Sequence, residues 1–206
     1  MAQSDSPYPV QFAVDYPEEA RDRFTVFFRV LFIIPILIVI GAVSGQSGGL
    51  QSFGGAAGGT LFIAPLIMIV FRQKYPRWWF DWNLALSRFT NRVGAYIFMM
   101  GDDYPSTDEE QAVHLEFSYP DVESDLNRWL PIVKWILAIP HYIILVVLWV
   151  LLVIAVIISW LAILFTGKYP QGLFDFVVGV MRWSNRVSAY AFLLVTDVYP
   201  PFRLSP

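Results

Sequence analysis

The most apolar stretch of the chain extends from Trp129 to Thr166 and carries no formal charge after Lys134, with histidine counted as neutral. Runs of about 18 or more apolar residues are typical of membrane-spanning helices. One helix over 129–166 would be about 55 Å long at the usual rise per residue, whereas a bilayer core is only about 30 Å thick. The stretch therefore predicts either one oversized span or two spans that fold back on each other.

The chain reads as an internal duplication, with repeats at 1–105 and 106–206. Each repeat opens with a short segment in which every second residue is a large apolar one. This segment ends in Tyr-Pro. The alternating positions are Val10, Phe12 and Val14 in the first repeat, and Val113, Leu115 and Phe117 in the second. Alternation with a period of two is typical of a half-buried strand. We therefore predict a short β-strand at the start of each repeat.

An apolar run with a basic entry and an Ile-Pro step follows each strand. In the first repeat a glycine-rich stretch, 41–59, holds eight of the 13 glycines and divides the run. It predicts a membrane hairpin at about 24–72. Because the repeats should match, the second run should also be a hairpin, at about 129–166, with its turn near Trp149 to Ile154. This interpretation gives an all-α integral membrane protein with four spans.

Two glycines in the first hairpin, Gly54 and Gly58, lie four residues apart. Small residues at this spacing let membrane helices approach closely. The alternative is that this glycine-rich segment is a flexible loop, and the sequence leaves both interpretations open.

The third element of each repeat is an apolar helix with one narrow polar stripe, at about 77–100 and about 172–196. The stripes align without a gap: Asp81, Arg88, Asn91 and Arg92 in the first helix, and Asp175, Arg182, Asn185 and Arg186 in the second. At about 100° per residue, the Asp and both Arg of each helix lie within about 40° of one line. An arginine at mid-membrane costs about 2.5–3.5 kcal/mol on insertion scales. We therefore predict amphipathic helices that lie in the membrane interface.

Three roles fit the polar stripes. They could bind anionic lipid headgroups, with neighbouring tryptophans at the interface. They could pair with acidic groups of the chain or of a partner and so fix the architecture. They could also line the vestibule of an oligomeric pore and select anions.

The composition narrows the possible chemistry. The chain is 56% hydrophobic and 15% charged, whereas soluble domains carry nearer a quarter of charged residues. It has no cysteine and two histidines, so we expect neither thiolate nor histidine-rich metal sites and no cofactor. A net charge of −3 argues against nucleic acid as a partner.

The basic residues predict the topology. All 14 Lys and Arg lie outside the two predicted hairpin turns. If each hairpin crosses the membrane and returns, all of these basic residues lie on one side of it. The positive-inside rule places that side, with both termini, in the cytoplasm.

His141 lies within a predicted span, where an ionisable residue suggests a function. A neutral histidine bonded to a carbonyl is the simpler interpretation, and a haem, quinone or proton role is the alternative. Asp81 and Asp175 are better explained as carboxylates near helix N-termini than as an acid–base pair. No nucleophile motif is present, so we do not expect an enzyme.

Several motifs recur along the chain and are clearest in the second repeat, at Ile139-Pro140-His141, Phe165 to Pro170, Leu173 to Phe176 and Arg182 to Tyr190. With these motifs the chain resembles the bacterial membrane proteins grouped as domain of unknown function 4389. This resemblance implies a protein of the bacterial cytoplasmic membrane and carries no activity with it.

Together these observations predict a non-enzymatic, lipid-contacting scaffold or accessory subunit. Its expected partners are membrane phospholipids and either further copies of itself or a larger membrane complex. An oligomeric channel or transport component is the alternative function, and a lipid-modifying enzyme is the third.

Overall fold

The computed structural model describes residues 8–17, 21–43 and 60–206, which are mainly helical. Two strands, β1 (Val10–Val14) and β2 (Val113–Phe117), form an antiparallel sheet. The helices are α1 (Arg23–Phe32), α2 (Ile34–Val43), α3 (Thr60–Arg72), α4 (Arg77–Ile97), α5 (Val122–Asp125), α6 (Leu130–Leu137), α7 (Ile139–Thr166) and α8 (Gln171–Ser188). A π-helical turn, Ala189–Leu193, continues α8. Gly54 and Gly58 lie outside the described residues, so their predicted packing stays a prediction.

Both predicted strands are confirmed, and they pair with each other. Phe12 of β1 is opposite Leu115 of β2 in the register. Both side chains are buried, whereas Gln11, His114 and Glu116 on the other face are exposed. The alternation in the sequence therefore reflects a sheet with two different faces. One face is apolar and packs against the helices, and the other is polar and points away from them.

The predicted turn within the second apolar run is wrong, because α7 continues without interruption for 28 residues. No glycine or proline occurs between Pro140 and Gly167, so nothing in the sequence interrupts the backbone hydrogen bonds. At the usual rise per residue α7 is about 42 Å long. It is the one helix of the described residues that is long and apolar enough to cross a membrane. The hairpin at 129–166 on which the four-span interpretation depended is therefore not formed.

The chain reverses direction after α7, between α7 and α8, instead of within the apolar run. Gly167 adopts a left-handed conformation with φ 75°, and its N–H donates to the carbonyl of Ile163 at 2.7 Å. The indole of Trp149 donates to the hydroxyl of Ser184 at 3.3 Å. Tyr142, nearer the start of α7, stacks on Phe192 beyond the end of α8. The two helices therefore lie side by side and antiparallel.

Each Ile-Pro step coincides with a break between two helices. α1 gives way to α2 at Ile33, just before Ile34-Pro35, and α6 gives way to α7 at Ala138, just before Ile139-Pro140. Proline has no N–H to donate and is tolerated in the first turn of a helix, so a new helix begins there.

The elements form three layers. The sheet is one outer layer, and its buried face packs on α4 and α8, which form the middle layer. The helices α1, α3, α6 and α7 cover the other side of the middle layer. Their outer faces carry most of the large exposed aliphatic and aromatic side chains, and only 22% of the most apolar 18-residue window of α7 is buried. One face of the molecule is therefore polar and the opposite face is apolar.

Replacing Val150 by proline tests the continuity of α7. Val150 is exposed at the middle of the helix, so the change removes a helical hydrogen bond without emptying the core. We expect a loss of about 3 kcal/mol or more in the free energy of unfolding in detergent. Val150→Ala is the matched control and should differ little from wild type. If the proline variant were as stable as the control, the chain would have a turn there.

Candidate functional site

Two arginines of the polar stripes bond to the strands, each to the strand of the other half of the chain. Nε of Arg88 on α4 donates to the carbonyl of Leu115 in β2 at 2.8 Å. Nε of Arg182 on α8 donates to the carbonyl of Phe12 in β1 at 2.9 Å. Since Phe12 and Leu115 are opposite each other in the sheet, the two bonds lie at equivalent places.

Two asparagines of the stripes join α4 to α8. Nδ2 of Asn91 donates to Oδ1 of Asn185 at 2.9 Å, and Nδ2 of Asn185 donates to Oδ1 of Asn91 at 2.8 Å. Each amide group also donates to a carbonyl four residues earlier in its own helix, that of Ser87 or Met181. Both N–H donors of each amide are thereby satisfied at these half-buried positions.

The last arginine of each stripe is buried and bonds to a connecting or terminal segment. Nη1 of Arg92 donates to the carbonyl of Ser106 at 3.0 Å, and Nη1 of Arg186 donates to that of Ser205 at 3.1 Å. Arg186 is only 1% exposed. Burial lowers the pKa of Arg186, and the nearby charges of Arg182 and Arg203 lower it further. Burial also lowers the pKa of Arg92, and the nearby charge of Arg88 lowers it further.

These guanidinium groups bond to backbone carbonyls instead of carboxylates. In the part of the chain that the structure describes, no carboxylate lies within 4 Å of Arg92 or Arg186. Arginine stays protonated in proteins and offers five N–H donors in a fixed plane. It can therefore collect several carbonyls that would otherwise be buried without a donor.

The two aspartates of the stripes lie apart from this network. Asp81 is exposed and pairs with Arg77, four residues earlier, at 3.3 Å. Asp175 is also exposed, one turn into α8. The structure thus brings together the arginines and asparagines of the stripes but not their aspartates.

Further equivalent contacts involve residues that sequence reasoning did not single out as sites. The hydroxyl of Tyr16 donates to the carbonyl of Tyr169 at 2.5 Å, and that of Tyr119 donates to the carbonyl of Tyr75 at 2.6 Å. All four tyrosines belong to the Tyr-Pro steps. The repeated Tyr-Pro steps were a sequence signal for these tyrosines. They do not indicate which backbone carbonyl accepts the hydrogen bond of each hydroxyl.

Each half also has a buried cation that pairs closely with an aspartate near its end. Arg29 Nη2 lies 2.7 Å from Asp102 Oδ1, and Lys134 Nζ lies 2.5 Å from Asp197 Oδ1. Lys134 also donates to the carbonyl of Thr196. The sequence aligns Arg29 with Lys134, but only the fold brings each to its aspartate.

His141 is fully buried in an aromatic cluster. Its Nδ1 accepts a hydrogen bond from the indole N–H of Trp183 at 3.0 Å, and its ring stacks on Phe202 at 4.0 Å. The bonding partner is thus an indole and not the expected carbonyl. Acceptance at Nδ1 puts the proton of the neutral ring on Nε2. Among the described residues, no group of three or more His, Asp or Glu is placed to hold a metal ion.

The second half of the chain matches a known family. Residues 130–203 match the model of the family described as Domain of unknown function (DUF4389). The match extends from the first residue of α6 to Arg203 and includes His141, Arg182, Asn185 and Arg186. It confirms the family resemblance over this segment. No match was found among curated proteins or among solved structures.

Changing Arg88 or Arg182 to glutamine tests what the stripes do. We expect each change to cost about 1–3 kcal/mol in the free energy of unfolding, because the strand carbonyls lose a charged donor. Arg72→Gln, at an exposed arginine, should stay within about 0.5 kcal/mol of wild type. Thermal melts and native mass spectrometry on the same samples give both readouts. Unchanged stability with a loss of retained anionic lipid would instead favour headgroup binding.

Proposed function

We propose that this protein is a non-enzymatic membrane scaffold that contacts lipid through its outer helices and water through its sheet. The observation that carries the proposal is the layer order. The sheet presents Gln11, His114 and Glu116 on one side, and α7 presents a nearly continuous apolar surface on the other. An exposed apolar surface of this extent marks a membrane or protein contact. The composition favours lipid, because the chain is 56% hydrophobic.

The geometry favours an orientation in which α7 lies along the membrane instead of across it. Trp149 at the middle of α7 contacts Ser184, and Arg182, two residues away, bonds to Phe12 in β1. The polar sheet is therefore level with the middle of α7. If α7 crossed the bilayer, the charged Glu116 would be near its centre, where acidic and basic residues cost about 2.5–3.5 kcal/mol each. Lying in the interface avoids this cost.

The proposed location is the bacterial cytoplasmic membrane, with both termini and the sheet on the cytoplasmic side. The support for this side is that no Lys or Arg lies in the glycine-rich stretch, which the sequence predicts as the far turn of the first hairpin. Phospholipids are then the immediate partners. Further copies or a larger membrane complex would use the same scaffold.

An oligomeric channel is the second candidate, and the same polar sheet favours it. If several copies placed their sheets around a water-filled vestibule, α7 could cross the bilayer without exposing Glu116 to lipid. The two candidates differ in where the ends of α7 lie.

We also propose that the chain is a tandem duplication whose halves exchange contacts. The supporting observations are the equivalent bonds of Arg88 and Arg182 to opposite strands, and those of Tyr16 and Tyr119 to the opposite half. The comparison with known families covers only the second copy.

Two single cysteines in this cysteine-free chain test the orientation. Val198 marks the start of α7, since the hydroxyl of the adjacent Tyr199 bonds to the carbonyl of Leu137, and the exposed Gln171 follows its end. We expect Val198→Cys and Gln171→Cys to react with a membrane-impermeant maleimide only after permeabilisation. Wild type, without cysteine, gives the background.

Labelling of one of these cysteines from outside the cell would mean that α7 crosses the membrane. Ion flux through liposomes that contain the purified protein would then support the channel. A protein that washes from membranes at alkaline pH would contradict both candidates.

Matched tyrosine changes test the duplication. Tyr16→Phe and Tyr119→Phe each remove one hydroxyl that bonds to an equivalent carbonyl, so we expect similar losses of about 1 kcal/mol in the free energy of unfolding. Exposed Tyr104→Phe should have little effect and serves as the control. A large effect at one position and none at the other would argue against equivalent roles.

A further inference from the structure

Seven of the 14 lysine and arginine side chains are exposed: Arg23, Arg72, Lys74, Arg77, Arg128, Lys168 and Arg203. Three of them lie at the junction where α3 ends beside the beginning of α6. Arg72 is the last residue of α3, Lys74 follows it, and Arg128 precedes α6. Nε of Arg128 donates to the carbonyl of Val70 in the last turn of α3 at 2.6 Å, which holds the two segments together. We call these three residues the basic rim.

The charges of the basic rim are not paired within the described part of the chain. No carboxylate there lies within 4 Å of its three side chains. Asp125, three residues before Arg128, accepts hydrogen bonds from its own helical turn. Asp197 is paired with the buried Lys134. The positive charges of the rim therefore have no direct partner in this part of the molecule.

The basic rim borders the apolar face of the outer helices. Phe71, next to Arg72, is 72% exposed. Trp129, next to Arg128, is 64% exposed. Further exposed apolar side chains continue from these two along α3 and α6. In the other direction the acidic α5 connects the rim to β2 of the polar sheet. Cations beside exposed aromatic rings at such a border are typical of a membrane interface.

The junction where α7 ends beside the beginning of α1 has a similar composition. Arg23 donates to the carbonyl of Phe165 at 3.4 Å, and the exposed Lys168 follows α7. Phe165 is 80% exposed, and Phe24 is exposed beside Arg23. The exposed Asp22 also lies next to Arg23 and offsets part of the charge at this junction. The basic rim is therefore the more cationic of two corresponding places.

We propose that the basic rim binds the headgroups of anionic phospholipids while Phe71 and Trp129 lie among the acyl chains. This inference rests on the proposed contact of the outer helices with lipid. The negative surface potential of a cytoplasmic leaflet attracts basic segments beside the membrane, so the charges are complementary. The aromatic rings continue into an apolar helix face, which favours a lipid surface over an acidic protein. The arginines of the polar stripes do not fill this role, because they bond within the molecule.

Arg72 and Lys74 are the residues to change, because Arg128 also bonds to α3. The protein is released from nanodiscs with equal amounts of phosphatidylglycerol and phosphatidylcholine, and native mass spectrometry gives the ratio of the two retained lipids. A basic residue near an anionic surface increases binding about fivefold. We therefore expect Arg72→Gln and Lys74→Gln each to lower the phosphatidylglycerol excess by up to about fivefold, and their combination to lower it further.

Arg203→Gln is the matched control. It also removes one exposed arginine, but from the C-terminal segment that bonds to Arg186 of α8, so the ratio should not change. Arg72→Lys keeps the charge and should keep the excess, which should shrink as ammonium acetate is raised because salt screens exposed charges. Thermal melts of the rim variants should match wild type, since both side chains are exposed.

The outcomes separate this inference from the proposed function. Equal retention of the two lipids by wild type, or an excess that survives in the double variant, would overturn the headgroup site and leave the scaffold intact. A lower ratio with a lower melting temperature would show a structural role and also overturn it. A wild-type dimer that becomes a monomer in the double variant would show a protein interface instead. Retention of neither lipid would mean that the outer helices do not contact lipid, and both proposals would fail.

Discussion

The fold depends on charged hydrogen bonds between the middle helices and the strands. A two-stranded sheet is marginal by itself, and here β1 and β2 are far apart in the sequence. Arg88 and Arg182 fix it by bonding to the carbonyls of Leu115 and Phe12. Each bond crosses from one half of the chain to the other, so the two halves are joined through the sheet. The Asn91–Asn185 pair then joins α4 to α8 by two hydrogen bonds.

This network explains why so apolar a chain keeps arginines in its interior. A middle layer between a sheet and an outer helical layer has little access to water, so its polar groups need partners from the chain. Arginine supplies several donors from one side chain and keeps its charge. Because these arginines bond to carbonyls of the strands and of the connecting and terminal segments, the outer helices need not supply those donors and can carry large apolar surfaces. The separation of the molecule into a polar and an apolar surface is therefore consistent with the position of these arginines in the middle layer.

The sequence predicted the elements better than their arrangement. Period-two alternation identified both strands, because this signal is local. The Ile-Pro steps coincide with both helix breaks and are local signals of the same kind. The turn near Trp149 to Ile154 failed because it was transferred from the glycine-rich stretch 41–59 of the first half. The offset between aligned residues falls from 105 at Arg23 and Arg128 to 94 at Tyr75 and Tyr169. Between these aligned positions the second half is therefore 11 residues shorter than the first. The hydrogen bonds of the polar stripes could not be predicted because they depend on a tertiary arrangement that no local signal specifies.

The shorter second half gives α7 a role that has no counterpart within the described part of the first. Without a glycine-rich interruption, one helix of about 42 Å connects the two halves of the molecule. Its first part packs on α8 of its own half, through Trp149 and Ser184. Its end meets the beginning of α1, where the N–H of Arg21 donates to the carbonyl of Gly167 at 2.8 Å. The same length of helix places Val156 and Trp160 beside the buried Arg29 of α1. The uninterrupted α7 is therefore what brings an apolar surface of the second half against a buried cation of the first half.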